Sequence, residues 1–209
     1  MTKGRLFTVS GPAGVGKGTI VKMAIEKDPT LFLSVSCTTR EIRADEVAGV
    51  TYHYISDEEF DRMVSEDAFF EWANVHGRRY GTPRPPVDEA VAAGRNAILE
   101  IDVQGSAQIV LKQPETIRIF ILPPDWESLY QRIVDRGRDS MEDIKKRMRN
   151  ALGEVKESLN CDYVLTNYTR EETRDNFLRI LGGEDAKEFS IEAQRENILN
   201  LINTYHEPE

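Results

Sequence analysis

The chain has 209 residues, a formal net charge of −9 and 40% hydrophobic residues, the composition of an ordinary globular protein with enough length for one well-buried domain. The acidic balance argues against general nucleic-acid binding, no apolar run approaches membrane-spanning length, and the N-terminal MTKGRLFTVSG lacks the apolar stretch of a secretory signal. The expectation is a cytoplasmic protein that binds neither nucleic acid nor membrane, with Cys37 and Cys161, far apart in no metal-like spacing, as reduced thiols.

In chain order, the apolar pattern predicts a buried strand at 5–10 (RLFTVS) and a helix at 17–27 stopped by Asp28-Pro29. Residues 31–81 break the rhythm with short β-rich pieces: LFLSVSCTT, YHYIS, FFEWANV and RRYGT. One short helix is expected there from Ser56, with Glu59 completing a capping box, so the stretch reads as an inserted mixed α/β lobe. Strands follow at 96–102 (NAILEID) and 116–122 (TIRIFIL), with a helix-length stretch between them. Residues 125–159 read as a charged helical region broken at 136–140. Its second half carries Ile144, Met148, Leu152, Val155 and Leu159 as a core-facing stripe with Arg147 at the edge. The first half and the break are therefore expected to form a mobile flap. A strand at 161–166, a helix at 169–181 and a polar tail from 182 with an amphipathic helix complete the chain. Alternating strands and helices argue for a parallel sheet with helices on both faces.

The run Gly11-Pro12-Ala13-Gly14-Val15-Gly16-Lys17 fits the opening of the phosphate-loop pattern, with a strand before it and a helix after it as that pattern needs. Glycines let the backbone curl so that several N–H groups point inward. The helix N-terminus adds its dipole and unpaired donors, and Lys17 adds a full charge for the outer phosphates. The strict pattern places Ser or Thr after the lysine; here Gly18 stands there and Thr19 follows, so the hydroxyl comes one residue late. Among other polar groups, Arg40 and Arg43 lie three apart, and arginine forks suit phosphate oxygens. Glu100 and Asp102 alternate to one face at a strand end.

Further motifs follow in order. They are SVSCTTREIRADEVAGVTY (34–52), Phe70-Glu71-Trp72-Ala73, Tyr80-Gly81-Thr82, ILEIDVQG (98–105), Arg136-Gly137-Arg138-Asp139-Ser140 and Arg147-Met148. Together they resemble the guanylate kinases, whose signature runs SxSxTTRxxRxxExxGxxY, over residues 6 to about 177. The resemblance implies an α/β fold: a P-loop NTPase three-layer core with a parallel sheet (4–33, 83–124 and 156–182), an inserted GMP-binding lobe (34–82), a helical lid (125–155) and a C-terminal tail (183–209). It implies that ATP binds at Gly11 to Thr19, with Asn167 on the adenine side. GMP is then held by Ser36, Arg40, Arg43, Glu46, Tyr52, Glu71, Tyr80, Thr82 and Asp102. Lys17, Arg136 and Arg147 would be catalytic, and Mg²⁺ would be carried by the ATP phosphates with Thr19 and Asp102 near it. Arg132, Arg138 and Arg149 would be neighbours of the catalytic arginines.

The chemistry agrees with this assignment. Guanine presents N1–H and an N2 amino group side by side, and one carboxylate, Glu71, accepts both. Ser36 and Thr82 offer hydroxyls for O6. Adenine would present an acceptor to that carboxylate, which leaves a buried charge unpaired. The expected reaction is ATP + GMP → ADP + GDP, with dGMP also accepted. It needs no general base, only positioning and charge neutralisation in a site that closes against water. Departures from the family pattern are Ala13 for a frequent serine, Arg78-Arg79 for Asn and Tyr, which is read as a retuning of substrate affinity, and Tyr168 for the Asp after Asn167. The alternatives are a kinase for another nucleoside monophosphate and a non-catalytic phosphopeptide-binding module. The intact loop lysine speaks against the second. A monomer or small homo-oligomer is expected.

Overall fold

The computed structural model describes residues 3–208 except Asp45, His76 and residues 136–139. Strand β1 (Leu6–Ser10), buried at every position, and helix α1 (Lys17–Lys27) open the chain where the apolar pattern puts them. The chain divides into two compact units: Met1–Thr8 with Pro29–Thr116, and Val9–Asp28 with Ile117–Glu209. The division runs through β1 itself.

The first unit contains β2 (Phe32–Leu33), β3 (Cys37–Thr38), β4 (His53–Tyr54), α2 (Asp57–Ser65), β5 (Phe69–Val75), β6 (Arg78–Pro83), α3 (Arg84–Ala92), β7 (Ala97–Glu100) and α4 (Val103–Lys112). Here β2 and β7 pair in parallel, Phe32 opposite Ala97, in the order β2-β7-β1. The other strands form a mixed sheet of order β4-β3-β6-β5, in which β5 and β6 are an antiparallel hairpin. A register shift between Phe69 and Glu71 interrupts that hairpin, and the two phenylalanines before Glu71 go to different cores. Phe69 joins Cys37 and Phe60, while Phe70 joins Leu6, Val87, Ala97, Leu99 and Ile109. Both faces of β5 are thus covered at this point, which is why Glu71 is also buried.

Three local expectations change. Ser56 caps α2, its Oγ accepting from Glu59 N at 3.1 Å, but the Glu59 carboxylate pairs with Arg62, so the capping box is half made. Helix α3 has no counterpart in the sequence reading, and it carries Pro85-Pro86 near its start. In a first turn the missing N–H groups would have no partner anyway, so the prolines are tolerated. Strand β7 stops at Glu100, and Asp102 is the N-cap of α4, not a strand residue.

In the second unit β8 (Ile117–Leu122) pairs in parallel with β9 (Tyr163–Thr166), in the order β1-β8-β9. Helix α1 buries Ile20, Val21 and Ala24 and packs on α7 (Arg170–Gly182), which buries Phe177, Ile180 and Leu181. Helix α6 (Met141–Glu157) buries Ile144, Met148, Ala151 and Val155; Leu152 is only half-buried, and Leu159 lies past the helix end. Helix α5 (Trp126–Val134) has its own buried stripe of Trp126, Leu129 and Ile133. The first half of the charged region therefore carries a buried apolar stripe, as the second does. The tail forms α8 (Ile191–Asn203). Trp126 Nε1 donates to Leu201 O at 2.7 Å, and its ring meets Tyr205 edge-on at 4.9 Å. Among the described residues no helix is long and apolar enough to cross a membrane.

The indole hydrogen bond is a buried polar link between α5 and α8. A Trp126→Phe variant keeps an aromatic ring and removes the indole donor, while Leu201 O still accepts from the Thr204 hydroxyl at 3.0 Å, and should lose about 0.5–1.5 kcal/mol of stability in urea titrations followed by circular dichroism. Amide hydrogen exchange should accelerate first in α8.

Candidate functional site

The phosphate loop belongs to the second unit. Gly11, Gly14 and Gly16 all have positive φ, and Val15 N donates to Pro12 O at 3.1 Å, which tightens the turn. Gly16 is the N-cap of α1 with φ 100°, and it offers no side-chain acceptor. The first N–H groups of α1 are thus left for an external anion. Lys17 curls back over the loop, its Nζ donating to Gly11 O at 2.8 Å. Gly18 and Thr19 are exposed in the first turn.

Asn167, expected on the adenine side, and Arg132, expected beside the catalytic arginines, both brace the loop itself. Asn167 is buried at the end of β9, and its Nδ2 donates to Val15 O at 2.8 Å. Arg132 on α5 donates to the same carbonyl at 3.0 Å. The Thr173 hydroxyl lies 3.2 Å from Asn167 Oδ1. A Cβ at Gly16 would come within 2.8 Å of Asn167 Nδ2, so the glycine is required both by its backbone conformation and by this brace. Arg147 is half-buried on α6 between Ile144 and Met148 in sequence, and Arg136 lies outside the described residues.

A second polar site lies within the first unit. A cavity of about 220 Å³ is lined by Ser36, Tyr52, Glu71, Tyr80, Glu100 and Asp102 among others. Glu71 comes from β5 and is 8% exposed. Thr82, opposite it on β6, donates its hydroxyl proton to Glu71 Oε1 at 2.6 Å. Ser36 Oγ stands 3.5 Å from the Thr82 hydroxyl. The other face of the carboxylate rests on the start of α4, where a Cβ at Gly105 would sit 3.0 Å from Oε2. Asp102 holds that helix start, accepting from Gly105 N at 2.8 Å. Burial pushes the Glu71 pKa up, and the neighbouring Asp102 charge adds to it, while the Thr82 hydrogen bond opposes.

Beside the cavity, Arg40 is fixed and Arg43 is not. Arg40 Nη2 donates to Glu46 Oε1 at 2.6 Å and Nη1 to Glu41 O at 2.7 Å. Its guanidinium lies 5.6 Å from the centre of the Tyr52 ring, which meets Tyr80 edge-on. The Arg43 side chain is exposed, and only its backbone N–H reaches Glu46. Glu46 was expected as a ligand residue; its carboxylate is instead occupied by Arg40, by Arg43 N and by the Tyr54 hydroxyl. Arg79 does not turn to the cavity either: it pairs with Asp57 and Asp61 and covers Phe60, docking α2 on the hairpin. The sequence reading missed Tyr54 and Gly105 as neighbours of the site. Tyr54 carries a signal, since it lies two residues from Tyr52 and so shares its face of a strand.

The Arg40 hydrogen bond, followed by those from Arg43 N and Tyr54, holds the Glu46 pKa at about 2, below its ordinary 4.5. A depressed carboxylate pKa stabilises the fold fully above the ordinary value and loses that contribution as pH falls towards the folded one. Denaturant titrations should therefore show the wild type exceeding a Glu46→Gln variant at pH 6, with the gap closing from pH 4.5 down towards 2.

The family model for guanylate kinase matches residues 3–183. The guanylate kinase of Carboxydothermus hydrogenoformans is 44% identical over 190 residues, covering 90% of this chain and 92% of its own. That of Thermus thermophilus is 44% identical over 182 residues, covering 87% and 82%. Among solved structures, the guanylate kinase of Anaplasma phagocytophilum superposes with a TM-score of 0.68 at 30% identity, over 87% of this chain and 86% of that one. The chain belongs to the guanylate kinase family.

Proposed function

We infer that the chain transfers the γ-phosphoryl group of ATP to GMP, giving ADP and GDP, as a cytosolic step of purine nucleotide metabolism. The observation that carries the base assignment is the buried Glu71 carboxylate, oriented by Thr82 and facing a cavity of base-like size. Its two oxygens match the paired N1–H and N2–H of guanine. The one proton of Thr82 is spent on Glu71, so Ser36 is the O6 donor. Adenine would leave the carboxylate facing a lone pair, a mismatch that binding energy alone rejects strongly. Nothing described reads a ribose 2'-hydroxyl, and dGMP serves as well.

Arg40, supported by Arg43, Tyr52 and Tyr80, takes the GMP phosphate. Lys17 and the amides of Gly11 to Thr19 hold the β- and γ-phosphates. Arg147 neutralises charge on the moving group, and Arg136, by its motif, does the same. The acceptor oxygen is already anionic at neutral pH, so no residue has to remove a proton. Residues 34–82 act as the acceptor lobe and 125–155 as the lid.

Among the described residues no three His, Cys, Asp or Glu side chains gather into a metal cage. That fits magnesium arriving with the nucleotide, because Mg²⁺ keeps several waters and takes phosphate oxygens with only one or two protein ligands. Thr19 by the loop and Asp102 by the cavity each offer one such oxygen. When bound, the ion neutralises the β- and γ-phosphate oxygens.

ADP release with ATP and Mg²⁺ should occur with GMP or dGMP and be absent with AMP, UMP or dTMP. Turnover with another acceptor would overturn the base assignment, and GMP binding without turnover would overturn the reaction. Glu71→Gln should raise KM for GMP by about 10- to 100-fold. In the wild type KM should climb as pH falls and Glu71 takes a proton at a higher pH than an ordinary carboxyl; in Glu71→Gln that acid limb should vanish.

A further inference from the structure

The carboxylate of Glu46 sits on the irregular stretch between β3 and β4, where Glu41, Ile42, Arg43, Val47 and Val50 are all exposed. Among the described residues from 41 to 50, the apolar side chains Ile42, Val47 and Val50 are half exposed or more and do not pack that part of the stretch down. Both oxygens of Glu46 are nonetheless occupied. Oε1 takes Arg40 Nη2 at 2.6 Å; Oε2 takes Arg43 N at 2.9 Å and the Tyr54 hydroxyl at 2.8 Å. The origins of these donors differ. Arg43 N belongs to the same stretch and moves with it. Tyr54 belongs to β4, paired to β3 with Thr38 opposite, and Thr38 is in turn opposite Tyr80 on β6. Arg40 follows β3, its backbone N–H donating to the Thr38 hydroxyl at 3.2 Å, so Glu46 is tied to the sheet carrying Tyr80 and Thr82 at two points, the Arg40 fork and the Tyr54 phenol, and the phenol is the tie that does not move with the fork.

We propose that Tyr54 is a positioning residue for the acceptor phosphate: its hydroxyl fixes the Glu46 carboxylate, and the carboxylate fixes the Arg40 guanidinium. The inference rests on the reading that Arg40 binds the GMP phosphate. Arginine pays several rotatable bonds to hold one geometry, and a fork that is already held loses less freedom when phosphate arrives. The rings of Tyr52 and Tyr54, with the Arg40 guanidinium carbon 5.6 and 5.9 Å from their centres, add a cation–π bed beneath the fork. The hydroxyl supplies the direction that a bed of rings cannot. Loss of the hydroxyl leaves the rings in place, and with them the packing of Tyr54 against Tyr52.

Tyr54→Phe is the test, since it removes one O–H and no packing. Its KM for GMP should rise about three- to tenfold, part of a hydrogen bond to a charged group, while kcat at saturating GMP stays at the wild-type value. Calorimetric affinity should fall by the same factor for GMP and not at all for guanosine, which has the base and no phosphate. In a Glu46→Gln background the same substitution should add nothing, the signature of one linked path. Unchanged GMP affinity in Tyr54→Phe, with Arg40→Ala clearly impaired, would overturn the link to Tyr54 alone. An equal loss for guanosine and GMP would overturn it as well, by showing a general loosening of the lobe. Unimpaired GMP binding in Arg40→Ala would overturn the link together with the phosphate reading beneath it.

Discussion

A carboxylate removed from water is tolerated only where its oxygens meet donors or wait for them, and Glu71 organises the first unit around that constraint. Its burial requires a strand covered on both faces, which the register shift in β5 provides by sending Phe69 and Phe70 to separate cores. It requires a donor directly across the hairpin, which is Thr82. It also requires a helix start close enough to exclude water, and only a residue without a side chain, Gly105, leaves that room. The helix start is in turn held by Asp102. Burial raises the Glu71 pKa, and the Thr82 hydrogen bond offsets this only in part. The remaining valence is what a ligand with two adjacent N–H groups supplies.

The phosphate loop solves the opposite problem. There the backbone donors must stay unpaired, so the loop is shaped from behind. Val15 O accepts from both Asn167 and Arg132, and Lys17 turns in to Gly11 O. These contacts use carbonyl oxygens and leave N–H groups outward. An anion site of this kind is set by what its acceptors bind as much as by its glycines.

Much of this was legible in the sequence. The glycine spacing before a helix, the strand at 6–10 and the motif order lie close together in the chain, and local rules read local patterns. The parts that were not legible depend on partners far away. Asn167 and Arg132 reach Val15 across more than a hundred residues, and no spacing rule links them. Arg78-Arg79 were read as a retuning of substrate affinity; the partners of Arg79, Asp57 and Asp61, lie on a helix whose docking only the fold reveals. Asp102 was taken for a strand end because NAILEID alternates, yet its side chain finds Gly105 N and begins a helix, a competition that short polar residues often win. Helix α3 went unread; its Pro85-Pro86 stand in the first turn, where proline is tolerated.

The partition of the chain bears on how it is made. The second unit joins Val9–Asp28 to residues beyond Thr116, so all of Pro29–Thr116 must be synthesised before its strands can meet. Loop-closure entropy for so long an insertion is modest in stability and heavy in time. The phosphate loop precedes its two carbonyl braces, at positions 132 and 167, by more than a hundred residues, and its helix packs on α7. The first unit, whose contacts close by residue 116, can collapse while the loop is still an unshaped glycine-rich thread. In order of synthesis, the pocket around Glu71 can therefore close before the glycine loop has its braces.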